Sequence, residues 1–249
     1  MDWLPLLLLF AAAFVAGLVD AIAGGGGLIT VPALLAVGLP PQVALGTNKL
    51  QASFGSGSAM LHFVRSGNVR LRDCWQGIFW TALGASAGVW SVQLLDPLLL
   101  RRLIPWLLGG IVVYLLVSPR LGQEDIHARM SAGLFYLLFG LLIGFYDGFL
   151  GPGTGSFWAM AFMLLLGYSI IRATAATKVM NFTSNATALL LFLLAGQVHL
   201  QAGLLMGVGQ FLGARIGARL VIRKGAGFVR PVFITMVLLI LLKLVLQSS

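Results

Sequence analysis

Four charged side chains stand where an apolar chain should carry none. Asp20 is followed by Ala-Ile-Ala and then Gly24-Gly25-Gly26-Gly27, and Asp147 by Gly-Phe-Leu and then Gly151-Pro152-Gly153-Thr154-Gly155. Lys49 and Lys178 each lie about six residues inside an apolar segment. An ionised lysine or aspartate at the centre of a membrane helix costs about 2.5–3.5 kcal/mol on insertion scales, so such groups pair or serve a function. Two chemistries fit. Each acid and lysine can close its own half of the chain as a structural ion pair, or at least one lysine can meet an anionic substrate. A lysine near a helix end can also snorkel to the interface.

The glycine runs point the same way. Contiguous glycines weaken a helix by about 1 kcal/mol each relative to alanine, whereas close helix packing needs small residues spaced four apart. Gly24–Gly27 and Gly151–Gly155 therefore read as turns that open the N-terminus of a following helix. Such a terminus carries about +0.5 charge and N–H groups without intrahelical partners, which favours anions. No Gly-Lys-Ser/Thr follows either run, so neither is a nucleotide loop. Small polar residues surround the lysines: Thr47, Asn48 and Gln51, then Thr177, Asn181, Thr183, Ser184 and Asn185. In a membrane these either hydrogen-bond another helix or line a polar path. His62, His127 and His199 are scattered without a carboxylate or thiol at ligand spacing, so no metal or other cofactor is expected.

The elements that must hold these groups are membrane helices. The 249 residues are 59% hydrophobic and 9% charged, with mean hydropathy +0.99. A soluble domain carries about 25% charged residues. Apolar runs of about 17–22 residues recur along the chain, the length that crosses a hydrocarbon core of about 30 Å. They do not alternate with period two as barrel strands do. The net charge of +9 sits in arginines at segment ends rather than in one stripe. It reads as membrane orientation and not as a nucleic-acid surface. The single cysteine, Cys74, excludes a disulfide framework. The first segment lacks a basic leader and reads as a retained helix.

The chain contains one unit twice. Asp20 and Asp147 are 127 residues apart; beyond them Gly38 and Gly167, Lys49 and Lys178, Gly67 and Gly196, and Val69 and Val198 keep a spacing of 129. Leu83-Gly84-Ala85 and Gly88 likewise match Leu212-Gly213-Ala214 and Gly217. A two-residue insertion accounts for the shift. The units are 1–117 and 131–249, joined by a cytoplasmic loop at 118–130. Segments are expected at roughly 3–23, 28–38, 43–64, 74–95 and 103–117, then 131–150, 155–167, 174–194, 202–222 and 231–247. The second of each set is too short to span unaided, so each unit opens with a broken or re-entrant helix pair. Loop Arg65–Asp73 is basic, its counterpart 195–201 carries no lysine or arginine, and 219–230 is basic again. Equivalent loops then lie on opposite sides, and the units are inverted. Arg101 and Arg102 violate this scheme, partly balanced by Asp96. Paired breaks in inverted repeats mark the substrate site of many secondary transporters, because freed backbone groups are tolerated only inside the protein or along a polar cavity.

Asp20-Ala-Ile-Ala-Gly-Gly-Gly-Gly, Gly46-Thr-Asn-Lys-Leu-Gln51 with Ser53-Phe-Gly-Ser56, and Ala176-Thr-Lys-Val-Met-Asn-Phe-Thr-Ser-Asn185 resemble the sulfite exporter TauE/SafE family. The resemblance covers nearly the whole chain. It implies a bacterial inner-membrane, multi-pass permease that exports sulfite, a sulfonate or a related organic anion; with inverted repeats, a secondary transporter of this kind is expected to work by rocking of one repeat against the other. The expected partners are a small anion and membrane lipid, with no nucleic acid and an open oligomeric state. The expected substrate-binding residues are Gly24, Gly25, Gly26, Gly27, Asn48, Lys49, Gln51, Gly151, Gly153, Thr154, Lys178, Asn181 and Asn185. Asp20 and Asp147 are candidates for proton or ion coupling. Two alternatives stand beside this: a non-transporting membrane scaffold, and an intramembrane aspartyl protease suggested by Tyr146-Asp147. The protease pattern needs one aspartate after Gly-x-Gly, and both acids here precede their glycines.

Overall fold

The computed structural model describes residues 3–117 and 127–224, which are helical throughout apart from turns. The expected segment 231–247 and most of the connecting loop lie outside the described residues. The elements are α1 (Trp3–Ala23), α2 (Gly27–Ala36), α3 (Pro41–Arg65), a short 3-10 turn (Leu71–Cys74), α4 (Trp75–Gln93), α5 (Pro97–Val117), α6 (Ala132–Phe149), α7 (Thr154–Leu165), α8 (Ile170–Leu194) and α9 (Leu200–Lys224). Local chemistry sets the boundaries. Pro41 occupies the first turn of α3, where its missing N–H costs nothing. Helix α5 begins six residues before the apolar run predicts. Asp96 Oδ1 accepts from the backbone N–H of Leu98 (2.7 Å) and Leu99 (3.2 Å), and Pro97 fills the next position. Asp96 is thus a helix cap, and the exposed Arg101 and Arg102 lie in the first turns of α5.

The repetition extends to the backbone. Gly24 and Gly151, Gly38 and Gly167, and Gly67 and Gly196 all have positive φ. Half-helix α2 has 10 residues and α7 has 12, and the helices that follow, α3 and α8, both have 25. The two inserted residues therefore lie within α7.

The two units interlock rather than sit side by side. Helix α1 packs most extensively on α9 and α6 on α4, while α3 and α8 pack together between them. The close approaches are equivalent. A methyl group added at Gly84 or Gly88 would meet the carbonyl of Leu141 or Phe145; one added at Gly213 or Gly217 would meet that of Phe14 or Leu18. These are glycines spaced four apart, the pattern that lets membrane helices touch at the backbone. Gly213→Ala and Gly84→Ala should each cost about 1–3 kcal/mol by overpacking, read as a lowered Tm of detergent-purified protein; an unchanged Tm would show that these faces are not tightly packed.

Polarity is distributed inside out. Trp3, Leu8, Phe79, Trp90, Trp106 and Leu142 are exposed, whereas Thr30, Asn48, Lys49, Gln51, Asp147, Lys178, Asn181 and Gln210 are buried. Water would reverse that arrangement; a hydrocarbon solvent stabilises it. Helices α1, α6 and α9 are long and apolar enough to cross a membrane on composition alone. At 25 residues, α3 and α8 reach about 37 Å, and the polar residues that dilute their hydropathy are turned inward.

Candidate functional site

The two glycine breaks meet. Gly24 lies against the backbone of Gly155 and Ser156, and Gly27 against Pro152. Both turns are held by their own elements. Gly24 N–H donates to the Asp20 carbonyl (2.8 Å), Thr154 Oγ1 to the Gly151 carbonyl (2.5 Å) and Tyr146 Oη to the Pro152 carbonyl (2.6 Å). The left-handed backbone at Gly24, Gly151 and Gly153 is one that glycine adopts at no steric cost. It lets α2 and α7 begin within a few residues of where α1 and α6 end.

The acids and lysines pair, but not within their own units. Lys49 Nζ donates to Asp147 Oδ1 at 2.7 Å and also to the Asp147 carbonyl. Lys178 Nζ reaches Asp20 Oδ2 at 3.2 Å and also the Asp20 carbonyl. Of the two readings, the ion pairs are present, but they join the units instead of closing each one. Because α3 and α8 pack against each other at the centre, each lysine is directed across that contact to the other unit's acid. Each ammonium also rests on a carbonyl in the last turn of α1 or α6, where the helix dipole is negative. An aspartyl dyad would need the two carboxylates to share a proton; here each is tied to its own lysine.

The two pairs are not equivalent. Asp147 is 4% exposed and its second oxygen, Oδ2, accepts from Ser184 Oγ. Asp20 is 14% exposed, and its other oxygen accepts a 3.3 Å bond from Gly26 N–H. Both acids border a space between the breaks, Asp20 the more openly.

That space is a cavity of about 20 Å3, room for about one water molecule. Of the residues expected from sequence, Asp20, Gly24, Gly27, Asn48, Asp147, Gly151, Gly153, Thr154, Asn181 and Asn185 line it. Lys49 and Lys178 sit behind the acids. Gly25 and Gly26 are buried outside the lining. Gln51 lies behind Asn48: Gln51 Nε2 (2.7 Å) and Thr30 Oγ1 (2.6 Å) both donate to Asn48 Oδ1. With that acceptor occupied, Asn48 has its Nδ2 donors left for the cavity. Ala52, Gly155 and Gln210 complete the lining. Gln210, 2% exposed, was not anticipated from sequence. Its counterpart at the spacing of 129 is Thr81, so a search for repeated residue types passes over it; a lone glutamine in the middle of an apolar segment was the available signal. Among the described residues no cluster could hold a metal ion, and His199 serves locally, its Nδ1 accepting from Ala202 N–H at 3.2 Å.

Comparison with known proteins finds relatives along nearly the whole chain. The chain is 48% identical over 248 residues to a "Probable membrane transporter protein" of Haemophilus influenzae, covering 98% of this chain and 96% of that protein. It is 47% identical over 246 residues to the "Probable membrane transporter protein YfcA" of Escherichia coli K12, covering 98% and 91%. A more distant relative, the "Probable membrane transporter protein YunE" of Bacillus subtilis, is 23% identical over 241 residues, covering 85% of this chain and 87% of that protein. No solved structure matches the chain. Residues 9–244 match the family model described as "Sulfite exporter TauE/SafE", and the chain belongs to that family of membrane transporters, which are not enzymes.

Proposed function

We propose that this protein is a secondary transporter that exports a small anion, either sulfite, a sulfonate or a related organic anion, across the bacterial inner membrane. The observation that carries the reading is the pair of half-helix N-termini at the cavity. Two acids cancel two lysines, and the carbonyl ends of α1 and α6 are met by the lysine ammoniums. Gly27 of α2 and Thr154 and Gly155 of α7 bring the positive N-terminal ends, about +0.5 each, to the lining. Asn48, Asn181, Asn185 and Gln210 add carboxamides. The family's description as sulfite exporters adds sulfite to the candidate substrates.

The mechanism we infer is alternating access in a multi-pass protein built of inverted repeats. The basic loops favour inversion, and the equivalent α1–α9 and α4–α6 contacts favour a two-fold relation. A space of about 20 Å3 is too small for a four-atom oxyanion, so passage requires the Gly24–Gly155 contact to part. Because the repeats interlock, the rocking bodies are α1 with α9 and α4 with α6, not the two sequence halves. A negative cell interior expels a monoanion with about 2.3 kcal/mol per charge per 100 mV, and Asp20 and Asp147, both on the cavity lining, are the candidates for exchanging a proton or ion, Asp20 being the more exposed.

Proteoliposomes loaded with labelled sulfite should lose label when they contain the protein, and Lys178→Gln should slow that loss at least about tenfold, the effect of one charge-assisted hydrogen bond. Loss no faster than from protein-free vesicles, for sulfite and for a panel of sulfonates, would remove the reading. In a parallel thermal-shift screen the transported anion should raise Tm by linkage.

A further inference from the structure

The two halves of the site differ at several lining positions, among them Asn48 against Thr177 and Ala52 against Asn181, and one further difference lies beside the acids. Ser184 on α8, which closes off Asp147, has Gly55 as its counterpart on α3. The room left by Gly55 is taken by Gln210: a methyl group added at Gly55 would fall on Gln210 Cγ and the side-chain amide. At the matching position of the other half, Thr81 lies outside the cavity and contacts Met180 Sδ at 3.5 Å. The cavity is therefore one-sided. Next to the more open Lys178–Asp20 pair it presents Gln210 and Asn181, and both carry a buried carboxamide oxygen, Gln210 Oε1 and Asn181 Oδ1, with no hydrogen-bond partner.

A buried acceptor without a donor is costly. A fully deprotonated oxyanion brings acceptors only and leaves such oxygens unsatisfied. A carboxamide is satisfied on both ends only by a ligand that accepts from its N–H and donates to its oxygen. We propose that the anion binds on the Lys178 side of the site, and that Gln210, with Asn181, selects a monoanion carrying its own O–H or N–H donor, such as a hydroxyalkyl sulfonate or a protonated oxyanion. This rests on the proposed function and assigns the substrate class within it. The half-helix N-termini on the lining take the charged oxygens, and the carboxamide oxygens take the donor hydrogen.

A pair of isosteric anions tests it. Isethionate and 1-propanesulfonate have the same charge and nearly the same shape, but only isethionate has a terminal hydroxyl. Competition against labelled sulfite efflux in proteoliposomes should show isethionate inhibiting at a concentration at least about tenfold lower than propanesulfonate, the effect of one satisfied hydrogen bond. Gln210→Met keeps the length of the side chain and removes both polar ends, so it should collapse that ratio toward one, each sulfonate being measured against the variant's own sulfite efflux. Equal inhibition by the two sulfonates in the wild type overturns the proposal without any variant being needed. So does a Gln210→Met protein that transports sulfite and keeps the isethionate preference. If Gln210→Met does not fold, Gln210→Thr, which installs the side chain found at Thr81, gives the same reading. Sulfite efflux that proceeds normally while the sulfonate ratio is one strikes only this inference; absence of efflux of every anion strikes the proposed function and this inference with it.

Discussion

Lys49→Met should be the most destabilising single change at the centre of this protein, at about 3–5 kcal/mol. The cost is not the lost attraction alone. Asp147 would remain 4% exposed with Ser184 as its one side-chain hydrogen-bond donor, a buried charge without a counter-ion. Lys178→Met should cost distinctly less, because Asp20 is 14% exposed and retains the Gly26 N–H. The double change Lys49→Met with Asp147→Leu removes both charges and should recover most of the loss, since a buried pair replaced by apolar groups is often neutral or stabilising. Ser184 then still donates to the carbonyls of Met180 (3.1 Å) and Asn181 (3.2 Å). Thermal unfolding of the four proteins in one detergent makes the comparison. A Lys178→Met protein less stable than Lys49→Met would show that the more exposed pair, and not the more buried one, holds the two units together.

That ordering could not have been read from sequence, and the reason is physical. Asp20, Lys49, Asp147 and Lys178 announce themselves because a charge in an apolar segment is costly wherever it sits. The breaks announce themselves because contiguous glycine is a poor helix former. The positive φ at Gly24 and Gly151, at Gly38 and Gly167, and at Gly67 and Gly196 is the backbone form of the same repetition. Pairing is different: which acid meets which lysine depends on α3 and α8 lying together at the centre, a relation that no spacing along one chain encodes. Two copies of a unit can close on themselves or exchange partners with identical sequence patterns, and here they exchange. Gln210 was hidden for a further reason. Repeats reveal residues that recur, whereas a residue that makes two equivalent halves unequal is by nature one that does not. The start of α5 at Pro97 follows from a cap, Asp96, whose carboxylate also served as a plausible partner for Arg101 and Arg102.

The second large effect is expected at the meeting of the breaks, and glycines elsewhere in the chain separate its two causes. Gly24 has φ +77° and faces the backbone of Gly155; Gly38 has φ +89° with nothing within 4 Å of an added methyl group; Gly155 has no positive φ, but a methyl group there would meet Gly24 Cα at 2.5 Å and Asn181 Nδ2 at 3.0 Å. Gly38→Ala therefore carries backbone strain alone, about 1–2 kcal/mol, and should leave anion flux unchanged. Gly155→Ala carries the collision alone, about 1–3 kcal/mol, and Gly24→Ala carries both. The collision cannot be relieved by a side-chain rotation, because the opposing atoms at Gly24 and Gly155 are backbone on both sides. Either substitution forces α2 and α7 apart or into the cavity, displacing the N-terminal amides that would receive the anion. Flux should fall at least about a hundredfold in both Gly24→Ala and Gly155→Ala, given that misplacement by about 1 Å costs that much at a preorganised site. Tm should fall in the order Gly24→Ala, Gly155→Ala, Gly38→Ala, largest loss first. If Gly38→Ala stops transport as completely as Gly24→Ala, strain in the turns governs the effect; if Gly155→Ala transports normally, the contact between the breaks is not where the anion passes.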